Sequence, residues 1–331
     1  MSLDEYKELL RRIERTHQAH YEQAVAALSQ QLVATYWAVG RDIVEYEQRG
    51  LANAPYGSEL LLQLSRDLLV RLGKGYSRSN VTRMRQFYRS YPELTAIPAE
   101  LSWSHLVELL KIEDPLERSF YERQVIVERW STTELIRQKN SSLFLRLAAS
   151  RDREEILALA KRGQLIQSPD DLIREPYVLD FLKIPEPHNV SERELETRLI
   201  RHLEEFLLEL GKGFAFIGRQ YRITLANRHF YVDLVFYHRI LKCFVLLDLK
   251  KGEATHQDVG QMNMYLSYFE KEESTEGDNP PIGIVLARDK DDILVEYALN
   301  NINAQLFVSK YQLYLPDREE LRKLVEGKLH P

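Results

Sequence analysis

Residues 231–252, "YVDLVFYHRILKCFVLLDLKKG", read as two apolar strands joined by a tight turn at "HRIL". Each strand carries an aspartate among Val, Leu, Phe and Tyr, and Lys250 follows two residues after Asp248. Side chains alternate along a strand, so Asp248 and Lys250 lie on one face. A two- or four-residue loop places Asp233 on that face as well. Because burying a charge is costly unless it is paired or holds a metal, this hairpin predicts a polar site.

Two interpretations fit these charges. Adjacent carboxylates repel each other, which raises a pKa or attracts a cation, and oxygen ligands at this density suit Mg²⁺. Alternatively, Lys250 forms a salt bridge with one aspartate and holds the two strands together. The preceding helix favours the metal interpretation, because Glu196 lies at the edge of its apolar stripe, which meets the sheet. A solvated helix flank is the alternative for Glu196, and Glu194 is assigned to a capping box with Ser191.

The first 163 residues predict a helical domain, because apolar residues recur at helical spacing between turn signals. Helices are expected near 3–30, 31–48, 58–72, 78–91, 102–111, 115–129, 132–148 and 152–162. Residues 164–190 then change character, with three prolines and short apolar pieces, and predict a linker that partly docks.

From residue 191 the pattern becomes α/β. A helix is expected from Ser191 to Gly211, followed by a three-strand meander, a crossover helix and further strands. The expected strands lie near 213–224, 229–237, 242–250, 282–287 and 304–310, with helices at 256–270 and 291–300. The predicted fold class is therefore an all-helical N-terminal domain, 1–163, followed by an α/β domain, 191–331, with a mixed central sheet.

The composition, 44% hydrophobic and 29% charged, is that of an ordinary globular protein long enough for two domains. The single cysteine, Cys243, excludes an internal disulfide and a cysteine-based zinc cluster. The N-terminal "MSLDEYKELL" is acidic and amphipathic, unlike a signal peptide, and no apolar run approaches the roughly 20 residues of a membrane helix. A cytoplasmic protein without a membrane partner is therefore expected.

The net charge of −5 hides a basic segment at 66–91, which contains seven Arg and Lys residues and one acid. Local charge sets the field that a phosphate backbone meets. The segment resembles a helix-turn-helix with Ser77 as the second N-cap. A solvated basic face and a surface for a protein partner are the alternatives to DNA contact. The candidate contacts are Arg78, Asn80, Arg83, Arg85 and Arg89.

Several of these residues resemble the sequence motifs of a known protein family. An acid on a helix (Glu196), an Asp on one strand (Asp233) and "DLK" at 248–250 resemble the PD-(D/E)xK nuclease superfamily. Gln261 and Tyr265 in "GQMNMYL" resemble the Gln-x-x-x-Tyr element of its RecB-like branch. The longer runs "LLELGKGFAFIGRQ", "FYVDLVFYH" and "DLKKG" are similar to the C-terminal domain of bacterial YhcG-type nucleases. "YWAVGRDI" and "SRSNVTRMRQFY" are similar to the helical N-terminal domain of that family.

The resemblance implies a restriction-endonuclease-like fold and a Mg²⁺-dependent nuclease, with Mn²⁺ as a substitute. It implies that Asp233, Asp248, the backbone carbonyl of Leu249 and Glu196 bind the metal. Lys250 would orient the attacking water or stabilise transition-state charge. Gln261 would hold that water or a phosphate oxygen. The implied substrate is nucleic acid, DNA in particular, in bacterial repair or defence.

Further expected contacts to nucleic acid are Arg219, Gln220 and Tyr265. The alternatives are a plain strand-end surface for the first two, and a polar cap on a core helix for Gln261 and Tyr265. At the level of the whole chain, the alternative to an enzyme is a catalytically silent module that binds nucleic acid or docks a partner. Protein partners of the helical domain and a homodimer stay open.

Overall fold

The computed structural model describes residues 3–49, 56–149, 151–174, 176–185, 190–291, 295, 297, 299, 305–315 and 317–329. The chain divides into two compact units, residues 1–137 and 138–331. Across these described ranges, no helix combines the length and the apolar character required to span a membrane.

The first unit is helical. Its first helix, α1, is continuous, whereas the sequence predicted two helices at 3–30 and 31–48. No proline or cap signal interrupts that stretch, and the turns join without a break. The helices are α1 (Leu3–Arg49), α2 (Tyr56–Leu72), α3 (Arg78–Ser90), α4 (Trp103–Leu109), α5 (Pro115–Glu128) and the start of α6 (Thr132–Asn140).

Helices α1 and α3 approach each other closely at Gly40. A Cβ atom at residue 40 would lie 2.0 Å from the Met84 carbonyl oxygen, so only glycine permits this backbone contact. Helix α3 buries Val81, Met84 and Phe87 on the same side. Its N-cap is Ser77, as predicted, and the hydroxyl of Ser77 accepts a hydrogen bond from the Asn80 N–H. The basic segment therefore forms a helix, a short turn and a second helix.

The second unit is built on a six-stranded mixed sheet in the order β1-β6-β5-β4-β3-β2. Strands β2, β3 and β4 form an antiparallel meander, and β4, β5, β6 and β1 run parallel. This arrangement confirms the predicted fold class. The strands are β1 (Tyr177–Val178), β2 (Phe214–Leu225), β3 (Arg228–His238), β4 (Cys243–Glu253), β5 (Ile282–Asp289) and β6 (Gln305–Gln312).

Helices cover both faces of the sheet. One face packs on α9 and α10 through Leu195, Leu199 and Phe206, and the other packs on α11 through Met262 and Leu266. Both faces of the parallel part are therefore buried, as is usual for such sheets. The helices of this unit are α7 (Leu143–Ala149), α8 (Arg153–Arg162), α9 (Glu192–Arg201), α10 (Leu203–Leu210), α11 (His256–Tyr268) and a C-terminal helix, Arg318–Leu329.

The helix predicted from Ser191 to Gly211 is two helices, because the backbone of His202 leaves the helical region (φ −113°, ψ 38°). The Ser191 hydroxyl accepts from the Glu194 N–H, as a cap should. The Glu194 carboxylate, however, pairs with Arg198 at 2.8 Å. The predicted helix at 291–300 lies largely outside the described residues.

The segment predicted as a linker, 164–190, contributes to the second unit. Tyr177 and Val178 form β1, pair with β6 and are fully buried, and Leu182 lies in the same core. The division between the two units also falls earlier, at residue 137, than the expected boundary at 163. The prolines that suggested a linker are compatible with β1, because Pro176 directly precedes the strand and proline is tolerated there.

A buried ion cluster ties α7 and β1 to α10. Arg146 Nη1 donates to Glu209 Oε1 at 2.8 Å, and Arg174 lies 3.5 Å from the other carboxylate oxygen. The backbone N–H of Val178 also donates to Glu209, at 2.9 Å. Burial alone would raise the pKa of the Glu209 carboxyl, but the two guanidinium groups outweigh burial and lower that pKa.

Candidate active site

The register of the β3–β4 hairpin places Asp233 directly across from Asp248. His238 pairs with Cys243, so the loop is residues 239–242, one position later than "HRIL". The loop has four residues, one of the two lengths expected. In an antiparallel pair with this register, the two aspartates face each other just beyond the last ladder pair.

The two strands part where the carboxylates begin. The last pair of the β3–β4 ladder is Leu234 with Leu247. Beyond it, the N–H of Leu249 donates to Asp233 Oδ2 at 2.8 Å, so a side chain replaces the backbone acceptor. Asp233 is thereby fixed at the open end of the hairpin.

Asp248 is buried, with 3% of its surface exposed. Its Oδ2 lies 2.8 Å from Lys250 Nζ. Apart from that ion pair, no group in the described part of the chain donates a hydrogen bond to this oxygen. Burial, followed by the nearby Asp233 carboxylate, raises the pKa of Asp248 to about 7, against the opposing effect of Lys250. The site therefore holds more negative charge than its own side chains satisfy.

Lys250 is held between two carboxylates. Besides Asp248, its ammonium lies 3.3 Å from Asp258 Oδ1. Burial favours the neutral amine, but both carboxylates outweigh burial and raise the pKa of Lys250, so the side chain stays protonated. The ion pair expected under the structural interpretation of this hairpin is thus present. Asp258 was not predicted for the site, although the "T-x-x-D" capping box at Thr255 marks the start of α11 in the sequence.

Gln220 joins Glu196 to Asp233. Its Nε2 donates to Glu196 Oε2 at 2.7 Å and to Asp233 Oδ1 at 2.9 Å. Glu196 is 5% exposed, so it is not a solvated flank. Burial raises the pKa of Glu196, the Gln220 amide opposes the shift, and the Asp233 carboxylate adds to it. Gln220 itself has a φ of 47°, a left-handed backbone that is uncommon for this residue type.

These residues line an open cleft of about 610 Å³. Arg193 and Arg219, both exposed, line the cleft together with Glu196 and Asp233. A cleft lined by both acids and cations suits a phosphate that approaches together with a metal ion. Arg193 was not predicted, because a lone arginine in the first turn of a helix carries no signal. The cleft is lined by Glu192, Arg193, Glu196, Thr197, Arg219, Gln220 and Asp233.

The Gln-x-x-x-Tyr pair lies on α11 beside the hairpin. The Gln261 amide donates to the hydroxyl of Tyr265, which donates in turn to the Tyr231 carbonyl of β3 at 3.0 Å. Tyr265 is fully buried. Its side chain therefore anchors α11 to β3, in contrast to the nucleic-acid contact expected from the sequence. Gln261 is half-buried, and of these two residues it remains the candidate for a role in the reaction.

The basic helix α3 uses part of its charge internally. Arg85 and Arg89 both pair with Glu47 on α1, at 2.8 and 3.0 Å. The Asn80 amide donates to the Gly75 carbonyl, and its oxygen accepts from Arg83. Arg78 is exposed at the start of the helix. All five predicted contact residues therefore lie on α3. They differ in environment, because Arg85 and Arg89 are paired with Glu47 whereas Arg78 is exposed.

The donor set fits a divalent cation. Among the residues that the structure describes, no three Asp, Glu, His or Cys side chains form a complete ligand set by themselves. Mg²⁺ does not require one, since it is commonly held by one or two carboxylates with water and phosphate oxygens. The two facing aspartates, of which Asp248 is buried beside the Lys250 ammonium, provide such a partial set.

Two solved structures were matched to part of this chain. A repair endonuclease from Pyrococcus abyssi is 23% identical over 40% of this chain, with a TM-score of 0.28. The EndoMS–dsDNA2 complex is 21% identical over 39% of the chain, also with a TM-score of 0.28. The matched region spans about half the length of each of these proteins, 50% and 48%.

Sequence comparisons cover much more of the chain. Residues 170–326 match the YhcG PDDEXK nuclease domain, and residues 11–146 match the DUF1016 N-terminal domain. The Escherichia coli (strain K12) protein named "Putative nuclease YhcG" is 36% identical over 90% of this chain and 88% of its own length. The predicted resemblance is confirmed: the chain belongs to the YhcG family of PDDEXK-type nucleases.

Proposed function

We propose that this protein is a Mg²⁺-dependent nuclease, active also with Mn²⁺, that hydrolyses phosphodiester bonds of DNA. The observation that carries the proposal is the pair of facing aspartates at the open end of the β3–β4 hairpin. One of them, Asp248, is buried beside the other carboxylate and has a pKa raised to about 7, although Lys250 Nζ lies 2.8 Å from its Oδ2. Two neighbouring carboxylates, one of them buried, raise the free energy of the folded protein, and a bound cation would offset that cost. We therefore attribute the arrangement to function and not to stability.

The metal would be held by Asp233, Asp248, the backbone carbonyl of Leu249 and Glu196. When bound, Mg²⁺ lowers the pKa of a water molecule and neutralises charge on the phosphate. Asp233 is prepared for this role, because hydrogen bonds from Leu249 and Gln220 fix both of its oxygens. Gln220 keeps Glu196 next to Asp233 although both are acids.

Lys250 acts as a cation and not as a base, because its pKa is raised and the ammonium stays protonated. A compact ammonium beside the metal-binding carboxylates can orient the attacking water or stabilise charge on a phosphate oxygen. Gln261, on the neighbouring helix, is proposed to hold the water or a phosphate oxygen through its amide. Arg219 and Arg193 contact the backbone of the nucleic acid in the cleft.

DNA is the proposed substrate because the chain also carries a basic helix-turn-helix, which is suited to a duplex. We place the activity in bacterial DNA repair or defence, in the cytoplasm, as the family relationship suggests. The helical unit would hold the substrate, or a partner protein, while the α/β unit cleaves.

The test is Mg²⁺-dependent cleavage of a labelled duplex by Asp233→Asn and Asp248→Asn variants. Each should lose at least roughly 100-fold in rate, because the metal loses a ligand. Both should unfold at the same temperature as the wild type or higher, since one of two repelling charges is removed. Asp278→Asn is the matched control: this carboxylate bonds Tyr237 at the other end of the hairpin and should not affect the rate.

A different result favours a second function. Lys250 is already engaged by two carboxylates, and Gln220 already bridges the acids, which is also the structure expected of a silent binding module. Wild-type protein that binds the duplex but does not cleave it with Mg²⁺ or Mn²⁺ would support that module. Aspartate variants that lose activity only because they unfold would instead favour the salt-bridge interpretation of the hairpin.

A further inference from the structure

The N-terminal part of α1 is a long helix that packs against no other element among the residues that the structure describes. From Tyr6 to Leu32 all side chains are exposed except Ser29, which is half-buried. This stretch is about 40 Å long at 1.5 Å per residue. Helices in proteins gain most of their stability from packing an apolar face against another element. A long helix that lacks such packing is therefore normally stabilised by association with another chain.

An apolar stripe runs along this stretch. Tyr6, Leu10, Ile13, Tyr21, Val25, Leu28 and Leu32 are all exposed large hydrophobic residues, and His17 stacks on Tyr21 between them. Leu28 is 72% exposed. Steps of three and four residues keep these eight side chains on one side of the helix. We call them the α1 stripe.

The spacing between successive residues of the α1 stripe is the same whichever end of the stripe it is read from. The steps from residue 6 to residue 32 are 4, 3, 4, 4, 4, 3 and 4. Two copies laid antiparallel therefore bring every stripe residue opposite another one. The four kinds of facing pair are Tyr6 with Leu32, Leu10 with Leu28, Ile13 with Val25, and His17 with Tyr21. A parallel pair has no need of such a symmetric spacing.

Charge favours the same orientation. Residues 4–15 contain eight charged side chains, four acidic and four basic, whereas residues 23–32, "QAVAALSQQL", contain none. A parallel pair would place Lys7 and Glu14, which flank the stripe, against their own copies, and like charges that face each other cost energy. An antiparallel pair packs the charged half of one helix against the neutral, alanine-rich half of the other.

The area is sufficient for a stable dimer. Eight stripe positions that each bury on the order of 100 Å² per chain reach the roughly 800 Å² per partner of a standard interface. The average step is close to that of an 11-residue repeat, which gives helix pairs a right-handed supercoil. We propose that α1 of two chains pairs antiparallel through the α1 stripe, so that the protein is a two-fold symmetric homodimer.

The first experiment measures the mass of the full-length protein by light scattering and sedimentation at micromolar concentration. We expect twice the chain mass of 38.9 kDa. The double variant Leu10→Lys, Leu28→Lys should have the single-chain mass and should still unfold cooperatively on heating, which shows that the rest of the chain is folded. Ala26→Lys is the matched control: it lies two residues from Leu28, on the opposite side of the helix, and should leave the dimer intact.

The second experiment determines the orientation by oxidative cross-linking. A chain with Leu10→Cys, mixed with a chain with Leu28→Cys, should form a disulfide-linked heterodimer, and neither alone should cross-link. The native thiol, Cys243, is buried and its pKa is raised to about 11, so it will not interfere. Cross-linking of Leu10→Cys to itself would overturn the antiparallel arrangement. A wild-type monomer, or a dimer that survives the double lysine variant, would overturn the proposal and leave the stripe to a different partner.

Discussion

Two buried carboxylates in the α/β unit have opposite electrostatic environments. Glu209 is surrounded by Arg146, Arg174 and the Val178 N–H, and its pKa is lowered. Asp248 faces another acid, and its pKa is raised to about 7. The first arrangement stabilises the folded state, whereas the second opposes it until a cation is supplied. This contrast separates a structural charge from a candidate functional one at the scale of single residues.

We expect Glu209→Gln to lower the free energy of unfolding by about 3 kcal/mol at pH 7, because two buried guanidinium groups lose their counter-charge. A lowered carboxyl pKa stabilises the folded state above the unfolded pKa of roughly 4.3, and this contribution disappears as the pH falls through the folded pKa. The difference between variant and wild type should therefore shrink below about pH 4. Urea unfolding at several pH values measures it.

The control for this measurement is Glu204→Gln, an exposed acid on the same helix, which should change stability by less than about 0.5 kcal/mol. A Glu209→Gln protein as stable as the wild type at pH 7 would contradict the role assigned to the ion cluster.

At the scale of the element, α3 shows how a basic helix divides its charge. Its apolar side packs on α1 at Gly40, and Arg85 and Arg89 share Glu47 on that same helix. Charges that are already paired displace fewer counterions from a nucleic acid. Arg78 and Arg83, near the start of α3, have no carboxylate partner within salt-bridge distance among the described residues.

We therefore expect different effects from two double variants. Arg78→Ala, Arg83→Ala should weaken duplex binding and reduce the slope of log K against log salt by roughly 0.9 per lost phosphate contact. Arg85→Ala, Arg89→Ala should leave that slope nearly unchanged. A salt titration on one duplex compares them. Equal loss in both variants would show that Glu47 releases its arginines, and no loss in either would assign α3 to a protein partner.

At the scale of the whole molecule, the α/β unit includes more chain than its catalytic sequence motifs. Strand β1 pairs with β6, and the Ser309 hydroxyl of β6 donates to the Arg174 carbonyl at 2.7 Å. Helix α7 belongs to the same unit. A fragment that begins after β1 would expose the edge of β6 and remove part of the core around Tyr177.

We expect the fragment 138–331 to fold and to unfold in a single cooperative transition, and the fragment 191–331 to be aggregated or unfolded. Soluble expression, circular dichroism and thermal unfolding distinguish these outcomes. If fragment 191–331 is as stable as 138–331, then β1 and α7 are accessory to the α/β unit.

Local patterns determined how much could be predicted. The alternation of residues 231–252 predicted the hairpin, and with it the common face of Asp233, Asp248 and Lys250, because strand geometry is short-range; which aspartate would pair with Lys250 was left open. The Ser77 cap was predicted for the same reason. The α1 continuity and the break at His202 were missed, since neither has a proline or glycine to mark it.

Long-range contacts were beyond a single sequence. The bridge from Gln220 to Glu196 joins a strand to a helix and depends on an unusual φ at residue 220. Asp258 reaches Lys250 only because α11 crosses back over the sheet. Strand β1 has two residues, which is too short for any alternation to appear. The residues that meet at the end of the hairpin were therefore predictable, while the contacts that hold them in place were not.

The Arg146–Glu209 pair also constrains how this family can change. Arg146 is the last residue of the N-terminal family match, and Glu209 lies inside the C-terminal one. Two segments that are counted as separate modules are thus joined by a buried charge pair. Replacement of Glu209 alone leaves two guanidinium groups without a counter-charge, and replacement of Arg146 alone removes the shorter of the two ion pairs that Glu209 makes. A chimaera that combines the N-terminal segment of one relative with the C-terminal segment of another should fold only when positions 146 and 209 carry residues that can pair. In the descendants of a common ancestor, positions 146 and 209 should therefore have been retained or substituted together.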